Sequence, residues 1–175
     1  YVNLMTYNLK LTNSFSRKKE LFKPLNSKKI TMYACGPTVY DNPHVGNART
    51  LVVFDILFRL LKKIYKKVTY VRNITDVDDK IIEAAKKNNK SINEITEIFT
   101  KTFHKDCKSL NCELPTKEPK ATDHINEMIS MTKSLIEKKF AYEVKGHVYF
   151  SINNFKNYGK LSNKNLEELK SGTRI

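Results

Sequence analysis

Apolar and polar residues alternate in a way that divides the chain into a strand-and-helix half and a mostly helical half. The β-rich run over residues 29–35 predicts a strand that stops at Gly36-Pro37. Apolar residues spaced by three or four over residues 45–66 predict a long, largely buried helix, and residues 68–74 predict a second strand. This order predicts an α/β fold with a parallel sheet and a right-handed βαβ crossover.

The second half carries the signals of separate helices. Ser91 and Glu94 have the spacing of a capping box. The helix that follows is predicted to bury one stripe: Ile95, Phe99, Phe103, Cys107 and Leu110. A helix over residues 122–138 is predicted to turn its apolar residues inward: Ile125, Met128, Ile129, Leu135 and Ile136. A hairpin around Gly146 and a short helix over residues 163–170 complete the prediction, and we expect a domain boundary between residues 88 and 89.

Composition narrows the class of protein. The 175 residues include 32 basic and 18 acidic side chains, a net charge of +14, which favours a polyanionic partner but also fits solvated lysine-rich faces. Three cysteines without a C-x-x-C motif do not form a disulfide framework. No stretch approaches the roughly 18 apolar residues of a transmembrane helix. We therefore expect a cytoplasmic protein without a membrane partner.

The residues between the first strand and the first long helix are the most informative. In an open parallel sheet, ligands bind at the carboxyl ends of the strands, where a helix N-terminus offers free N–H donors to an anion. His44, Gly46 and Asn47 lie on this first turn. Physics alone leaves two interpretations: a site for nucleotide phosphates, or a plain helix start with a capping Asn and a surface His.

Longer motifs add a resemblance to a known family. The segments C-G-P-T-V-Y-D-N-P-H-V-G-N-A-R-T, Y-V-R-N-I-T-D-V-D-D-K-I-I and E-P-K-A-T-D-H-I resemble those of the cysteinyl-tRNA synthetases, which are class I aminoacyl-tRNA synthetases. The resemblance extends from about Leu21 to Arg174. It implies that residues 1–88 are the first half of a Rossmann-type catalytic domain and that residues 89–175 are an incomplete connective insertion.

The resemblance also implies an activity, a ligase that uses ATP with Mg²⁺ to form cysteinyl-adenylate and then charges the 3′ end of tRNA(Cys). His44 and Asn47 match the catalytic signature positions, although Asn47 replaces the more common second histidine. The residues implied to bind ATP are Gly36, Thr38, Tyr40, His44, Gly46 and Asn47. Thr75 and Gly36 are implied to bind the amino acid, although Thr75 also suits a helix N-cap.

A zinc ion is implied by Cys35, whose family counterpart is a metal ligand that selects the substrate thiol. The other implied ligands, a Cys, a His and a Glu, lie outside this sequence. Cys107 is interpreted as core, and Cys112, His104, His124 and His147 lack metal spacing. Acidic residues at 76, 78 and 79 are interpreted as stabilising a helix start rather than holding Mg²⁺. Arg49 and Arg72 could contact phosphate or pair with an Asp.

The second family signature, K-M-S-K-S, and the anticodon-binding region do not occur in the sequence. We therefore expect an N-terminal fragment that is inactive alone and derives from a monomeric enzyme. Three alternatives stay open: a cysteine ligase that acts on an aminosugar, a nucleotidyltransferase, and a non-catalytic RNA-binding or interaction module. The C-G-P-T-V-Y-D lead-in counts against the nucleotidyltransferase.

Overall fold

A computed structural model of the chain describes residues 8–163. The strands are β1 (Lys10–Asn13), β2 (Lys18–Leu21), β3 (Ile30–Ala34), β4 (Val68–Arg72), β5 (Ala141–Val144) and β6 (His147–Phe150). The α-helices are α1 (Val45–Ile64), α2 (Asp79–Lys87), α3 (Ile92–Ser109) and α4 (Ile125–Glu137). Short 3₁₀ turns lie at Thr122–His124 and Ile152–Asn154. In this part of the chain, no helix has the length and apolar character needed to cross a membrane.

Contacts divide the chain into two compact units. Among the described residues, one unit contains residues 24–125, and the other contains residues 8–23 together with residues 126–163. The division therefore differs from the boundary predicted between residues 88 and 89. That boundary concerns the functional halves implied by the family, and it stays a prediction.

The unit of residues 24–125 is built around a parallel pair of strands. Strand β3 pairs with β4 in a register that runs from Ile30 opposite Val68 to Ala34 opposite Arg72, and α1 is the crossover between them. The other edge of β4 carries two isolated parallel bridges, Val71 to Lys117 and Ile74 to Lys120. The parallel pair and its helix agree with the predicted α/β class, whereas a complete Rossmann-type sheet is not formed by residues 8–163.

Helix α1 matches its predicted start and ends two residues before its predicted end. It begins after His44 and ends at Ile64, because Tyr65 is extended. Its buried face includes Leu51, Phe58 and Leu61. Phe58 packs with Ala34 and Tyr70 in a cluster that joins the helix to both strands. Burial of these large side chains supplies the main driving force for holding the helix on the sheet.

Helices α2 and α3 extend the core on the side of the strand ends. Ile81 and Ala85 of α2 pack with Ile95 of α3. Further along α3, Phe103 and Cys107 join a cluster with Val39, Leu51 and Ile74. The predicted stripe of α3 is therefore confirmed, except that Leu110, at its end, is 40% exposed. Cys107 is fully buried, as predicted, and burial raises the pKa of its thiol.

The second unit contains two antiparallel hairpins. β1 pairs with β2, and β5 pairs with β6 across a turn in which Gly146 has a φ of +77°, a conformation that favours glycine. The second hairpin is predicted by the sequence and the first is not. The predicted helix over residues 163–170 lies outside the described residues, apart from its first residue.

The apolar face of α4 contradicts the prediction that it points inward. No residue of this helix is buried. Met128 and Ile129 are each nearly half exposed, and so is Ile125 at its start. The helical period is correct, and Leu135 and Ile136 are half-buried, so the prediction is wrong for residues 125, 128 and 129.

Candidate functional site

The predicted site residues lie around the carboxyl ends of β3 and β4. Cys35 and Gly36 follow β3 directly, and Thr75 lies three residues beyond the end of β4. The ladder continues past both strands through a parallel bridge between Thr38 and Thr75. The backbone N–H of Thr75 donates to the Pro37 carbonyl (3.0 Å), and the N–H of Val39 donates to the Thr75 carbonyl (3.2 Å). These bonds hold the two loops side by side.

Gly36 is required by the close approach of the two strand ends. A Cβ atom at this position would lie 1.6 Å from the Asn73 carbonyl oxygen and 2.7 Å from its carbonyl carbon. Those atoms belong to the backbone, so they cannot rotate away as a side chain could. The glycine therefore permits the strand ends to meet, which is a structural reason for its presence beside any role in ligand binding.

The Asn73 side chain hydrogen-bonds to three residues around the site, and no role was predicted for it from the sequence. Its Oδ1 accepts hydrogen bonds from the Gly36 N–H (2.9 Å) and from the Tyr33 hydroxyl (3.0 Å). Its Nδ2 donates to the Thr75 hydroxyl oxygen (3.1 Å). One amide therefore connects strand β3, the turn after it and the loop after β4. In the sequence, Asn73 lies inside the run predicted as the second strand, and no local signal marks its role.

The start of α1 is built by a reciprocal pair of caps. The Nδ1 of His44 accepts a hydrogen bond from the Gly46 N–H (3.0 Å), and the side-chain oxygen of Asn47 accepts one from the His44 N–H (3.0 Å). A Cβ on Gly46 would lie 2.7 Å from the His44 ring. The capping interpretation of this turn is therefore correct for both side chains.

Capping leaves donors free to meet a ligand. Because Nδ1 of His44 accepts, the neutral ring carries its proton on Nε2, which points away from the cap. Asn47 uses its oxygen for the cap, so its NH₂ group keeps two donors. Together with the positive end of the helix dipole, these groups form a surface suited to phosphate oxygens. The interpretation of this turn as a capped helix start is thus compatible with its interpretation as a phosphate site.

Two adjoining cavities lie at this end of the sheet. The first, of about 280 Å³, is bordered by Cys35, Gly36, Asn47 and Thr50. The second, of about 400 Å³, is bordered by Thr38, Tyr40 and His44. Pro37, Asn47 and Phe103 border both cavities. Cys35 is exposed rather than packed into the core. The structure thus brings the predicted site residues to one region, although Thr75 and Gly46 border neither cavity.

The acidic residues after Thr75 have structural partners. Asp78 caps α2 by accepting from the Lys80 N–H (3.0 Å), and Asp79 lies in the first turn of that helix. Asp76 instead accepts from the backbone N–H (3.0 Å) and the hydroxyl (2.5 Å) of Thr122. The helix-start interpretation is confirmed for residues 78 and 79 and wrong for residue 76. Thr75 does not cap α2, since that helix begins four residues later.

Arg72 forms a buried ion pair that also differs from the prediction. It is 3% exposed, and its Nε and Nη2 donate to Oε1 of Glu118 (3.1 and 2.6 Å). The other Glu118 oxygen lies 2.5 Å from Nε2 of His104. Burial is the largest single influence and acts to lower the pKa of Arg72, but the hydrogen bond with Glu118 and the charges of neighbouring groups together outweigh it, so the pKa is raised and the cation persists. Its partner is therefore a glutamate. Arg49 is exposed on α1.

Of the zinc ligands that the resemblance implies, Cys35 lies among the described residues, and its role as a ligand stays a prediction. Within residues 8–163, no three His, Cys, Asp or Glu side chains lie close enough together to hold a metal ion. The exposed thiol of Cys35 could serve as a single ligand at the rim of the first cavity. Cys112 packs beside the buried core, and burial raises the pKa of its thiol, which agrees with a structural role.

Comparison with known proteins decides the family. The family model described as "tRNA synthetases class I (C) catalytic domain" matches residues 21–175. The chain belongs to this family. It is 57% identical over 173 residues to "Cysteine--tRNA ligase" of Pelagibacter ubique, covering 98% of this chain and 38% of that relative. Its identity to proteins of the same name is 54% over 167 residues in Wolbachia pipientis from Culex pipiens and 52% over 167 residues in Saccharophagus degradans.

The chain spans a little over a third of the length of these class I synthetase relatives. In the comparisons with the Wolbachia and Saccharophagus proteins, the matched region covers 95% of this chain and 36% of each relative. The resemblance seen in the sequence motifs is therefore confirmed. The roles assigned to individual residues of this chain stay predictions. The activity of the full-length protein is a proposal.

Proposed function

We propose that the full-length protein carrying this segment activates L-cysteine with ATP and Mg²⁺ and transfers it to the 3′ end of tRNA(Cys). The observation that carries the proposal is the donor surface at the start of α1, which adjoins the exposed Cys35 thiol through shared cavity-lining residues. The names of relatives at more than 50% identity support the same activity.

In the first step, a carboxylate oxygen of cysteine attacks the α-phosphorus of ATP. A new P–O bond forms, the bond to the β-phosphate oxygen breaks, and pyrophosphate leaves with the electron pair. This chemistry requires placement of the reactants and stabilisation of phosphate charge more than it requires an activated nucleophile. The Nε2–H of His44 and the free NH₂ group of Asn47 are the donors we assign to the phosphates. Asn47 cannot supply a positive charge.

We assign Cys35 as one zinc ligand. A zinc ion bound there would favour a thiol over a hydroxyl in the substrate, which would separate cysteine from serine at the binding step. This chain would contribute the Cys35 sulfur at the rim of the first cavity, with Gly36 beside it. Gly36, Thr38, Tyr40 and Gly46 are assigned to the ATP site, and Thr75 and Gly36 to the amino-acid site.

The net charge of +14 supports tRNA as the polyanionic partner. We place the full-length protein in the cytoplasm as a monomer. An assay of tRNA(Cys) charging, run beside one with an aminosugar acceptor, separates the proposed transfer from the nearest alternative ligase.

The decisive test measures zinc content and cysteine-dependent ATP–pyrophosphate exchange in the full-length protein. We expect Cys35→Ser to lose most of its bound zinc and to raise the KM for cysteine by more than about tenfold, because one metal–thiolate bond is removed. The matched control, Cys112→Ser, keeps both properties. Full zinc content in Cys35→Ser would refute the metal assignment.

The same assay tests the incomplete site. Residues 1–175 alone are expected to give little or no exchange, since they lack the second signature. Exchange at the full-length rate by this segment would contradict that expectation. Absence of cysteine-dependent exchange in the full-length wild type would contradict the proposed function itself.

A further inference from the structure

We propose that Asn73 is a positioning residue that fixes the Thr75 hydroxyl as a hydrogen-bond donor to an acceptor group of the amino-acid substrate. The inference rests on the proposed function, in which Thr75 belongs to the amino-acid site. It assigns a role to a side chain that none of the sequence motifs singled out, and it specifies the polarity of the contact that Thr75 makes.

The orientation of the Asn73 amide follows from its partners. A backbone N–H can only donate, so the Asn73 atom that lies 2.9 Å from the Gly36 nitrogen must be the oxygen. The Tyr33 hydroxyl, 3.0 Å from the same oxygen, is satisfied by donating to it. These two contacts exclude the flipped amide, which would place an NH₂ group against the Gly36 N–H.

The orientation of the Asn73 amide then determines the hydrogen-bonding role of the Thr75 hydroxyl towards it. The Asn73 NH₂ group faces the Thr75 hydroxyl oxygen at 3.1 Å, and an amide nitrogen of this kind only donates. The Thr75 oxygen must therefore accept, and its own proton must point away from Asn73. The hydroxyl proton is therefore available to a group other than Asn73.

The backbone around Thr75 is fixed as well. Its N–H donates to Pro37 and its carbonyl accepts from Val39, so the residue is held against the turn that borders both cavities. With the backbone anchored and one lone pair of the oxygen taken by the Asn73 amide, the hydroxyl keeps its proton and one further lone pair for other groups. An acceptor on the amino acid, a carboxylate or a thiolate, is the class of group that such a donor recognises.

The key variant is Asn73→Asp in the full-length protein. The carboxylate can still accept from Gly36 and Tyr33, but it cannot donate to Thr75. The Thr75 proton would then turn towards the carboxylate, and its lone pairs would face the substrate. We expect the KM for cysteine in the exchange assay to rise about tenfold, the effect of losing one hydrogen bond, with kcat and the KM for ATP changed less than about threefold.

A double-mutant cycle separates this role from a structural one. If Asn73 acts through the Thr75 hydroxyl, Asn73→Asp has less than about a twofold effect on the cysteine KM in a Thr75→Val background. If that variant does not fold, Thr75→Ser replaces it: the hydroxyl is retained, so Asn73→Asp keeps its tenfold effect. Tyr33→Phe is the matched control, because it removes a hydrogen bond to Asn73 without altering Thr75, and it is expected to leave the KM unchanged.

The outcomes are distinguishable. An Asn73→Asp effect that persists in full with Thr75→Val, or that vanishes with Thr75→Ser, overturns the inference and leaves the proposed function intact. An unchanged KM for cysteine in the single variant Asn73→Asp also overturns the inference and leaves the proposed function intact. A full-length wild type without cysteine-dependent exchange overturns the proposed function, and the inference with it.

Discussion

Gly36 shows how a single residue can be dictated by the backbone of another segment. Its neighbour in space is the carbonyl of Asn73, 37 positions away in sequence. The strand that ends before Gly36 and the loop that follows β4 could not approach as they do if a side chain stood between them. The glycine of a motif linked with ligand binding thus also carries a packing requirement.

Gly36→Ala is expected to destabilise the protein by about 1–3 kcal/mol, the usual cost of forcing extra volume into a packed site. The reason is that the new methyl group meets a carbonyl rather than a movable side chain. Denaturant unfolding of the full-length protein measures the effect. Gly46→Ala is the control, because its methyl group meets only the His44 ring, and alanine is favoured over glycine in a helix. Equal stability of the two variants would contradict the prediction.

The sequence shows which candidate residues share a helical turn, but it does not show which side chains from distant segments hydrogen-bond to them. His44 and Asn47 are three positions apart at the start of one helix, so their spacing alone shows that they share a face. Asn73 and Glu118 make their contacts with residues 37 and 46 positions away, and no local signal marks such partners. Their roles become visible only when the strands are paired.

Helix α3 illustrates what a local signal can specify. Its start is the capping box expected from Ser91 and Glu94: the Glu94 N–H donates to the Ser91 hydroxyl (3.2 Å), and the Ser91 N–H donates to the Glu94 carboxylate (2.8 Å). Hydrogen bonds from the backbone N–H and hydroxyl of Ser91 lower the pKa of Glu94. The ionised carboxylate is therefore favoured by folding.

This lowered pKa predicts a pH-dependent contribution to stability. A carboxyl group whose folded-state pKa is depressed stabilises the fold fully above its unfolded value of 4.5, and this contribution is lost as the pH falls through the folded-state pKa. The melting temperature of Glu94→Gln should therefore lie below that of the wild type at pH 7, and the difference should shrink below pH 4.5. Glu97→Gln, three residues along the same helix, is the control. A difference that grows on acidification would refute the explanation.

The elements that were predicted least well lack a distinctive local pattern or depend on distant partners. The strands of the β1–β2 hairpin read K-L-T-N and K-K-E-L, with one leucine each, so no apolar alternation reveals them. The segment around Lys117 pairs with β4 although prolines at 115 and 119 argue against a strand. In contrast, α1, β3 and β4 end within two residues of the prediction, because each has a strong apolar period and a clear stop.

At the scale of the whole molecule, the Arg72–Glu118–His104 group connects three segments of the unit of residues 24–125. Arg72 belongs to β4, His104 to α3, and Glu118 to the segment that runs along the free edge of β4. The Arg72 guanidinium also lies over the Phe103 ring, 4.8 Å from its centroid. A buried cation thus receives charge compensation and a stacking partner from two different elements.

Removing the negative charge of this group should be costly. Glu118→Gln is expected to lower the free energy of unfolding by about 3–5 kcal/mol, since it leaves the Arg72 cation buried without a counter-charge. Denaturant unfolding of the full-length protein measures the loss. The exposed Lys101–Glu97 pair supplies the control: Glu97→Gln should change the free energy by less than about 0.5 kcal/mol. Similar losses in both variants would show that the buried pair contributes no more than a surface one.

The distance in sequence between Arg72 and its counter-charge has a consequence for synthesis on the ribosome. Glu118 is made 46 residues after Arg72, which at about 5–20 residues per second corresponds to roughly 2–9 s. During that time the nascent β4 has neither a neutraliser for its cation nor the segment that covers its edge, and an uncovered edge can pair with other chains. The rate of translation between these two codons thus sets how long the emerging polypeptide stays open to aggregation.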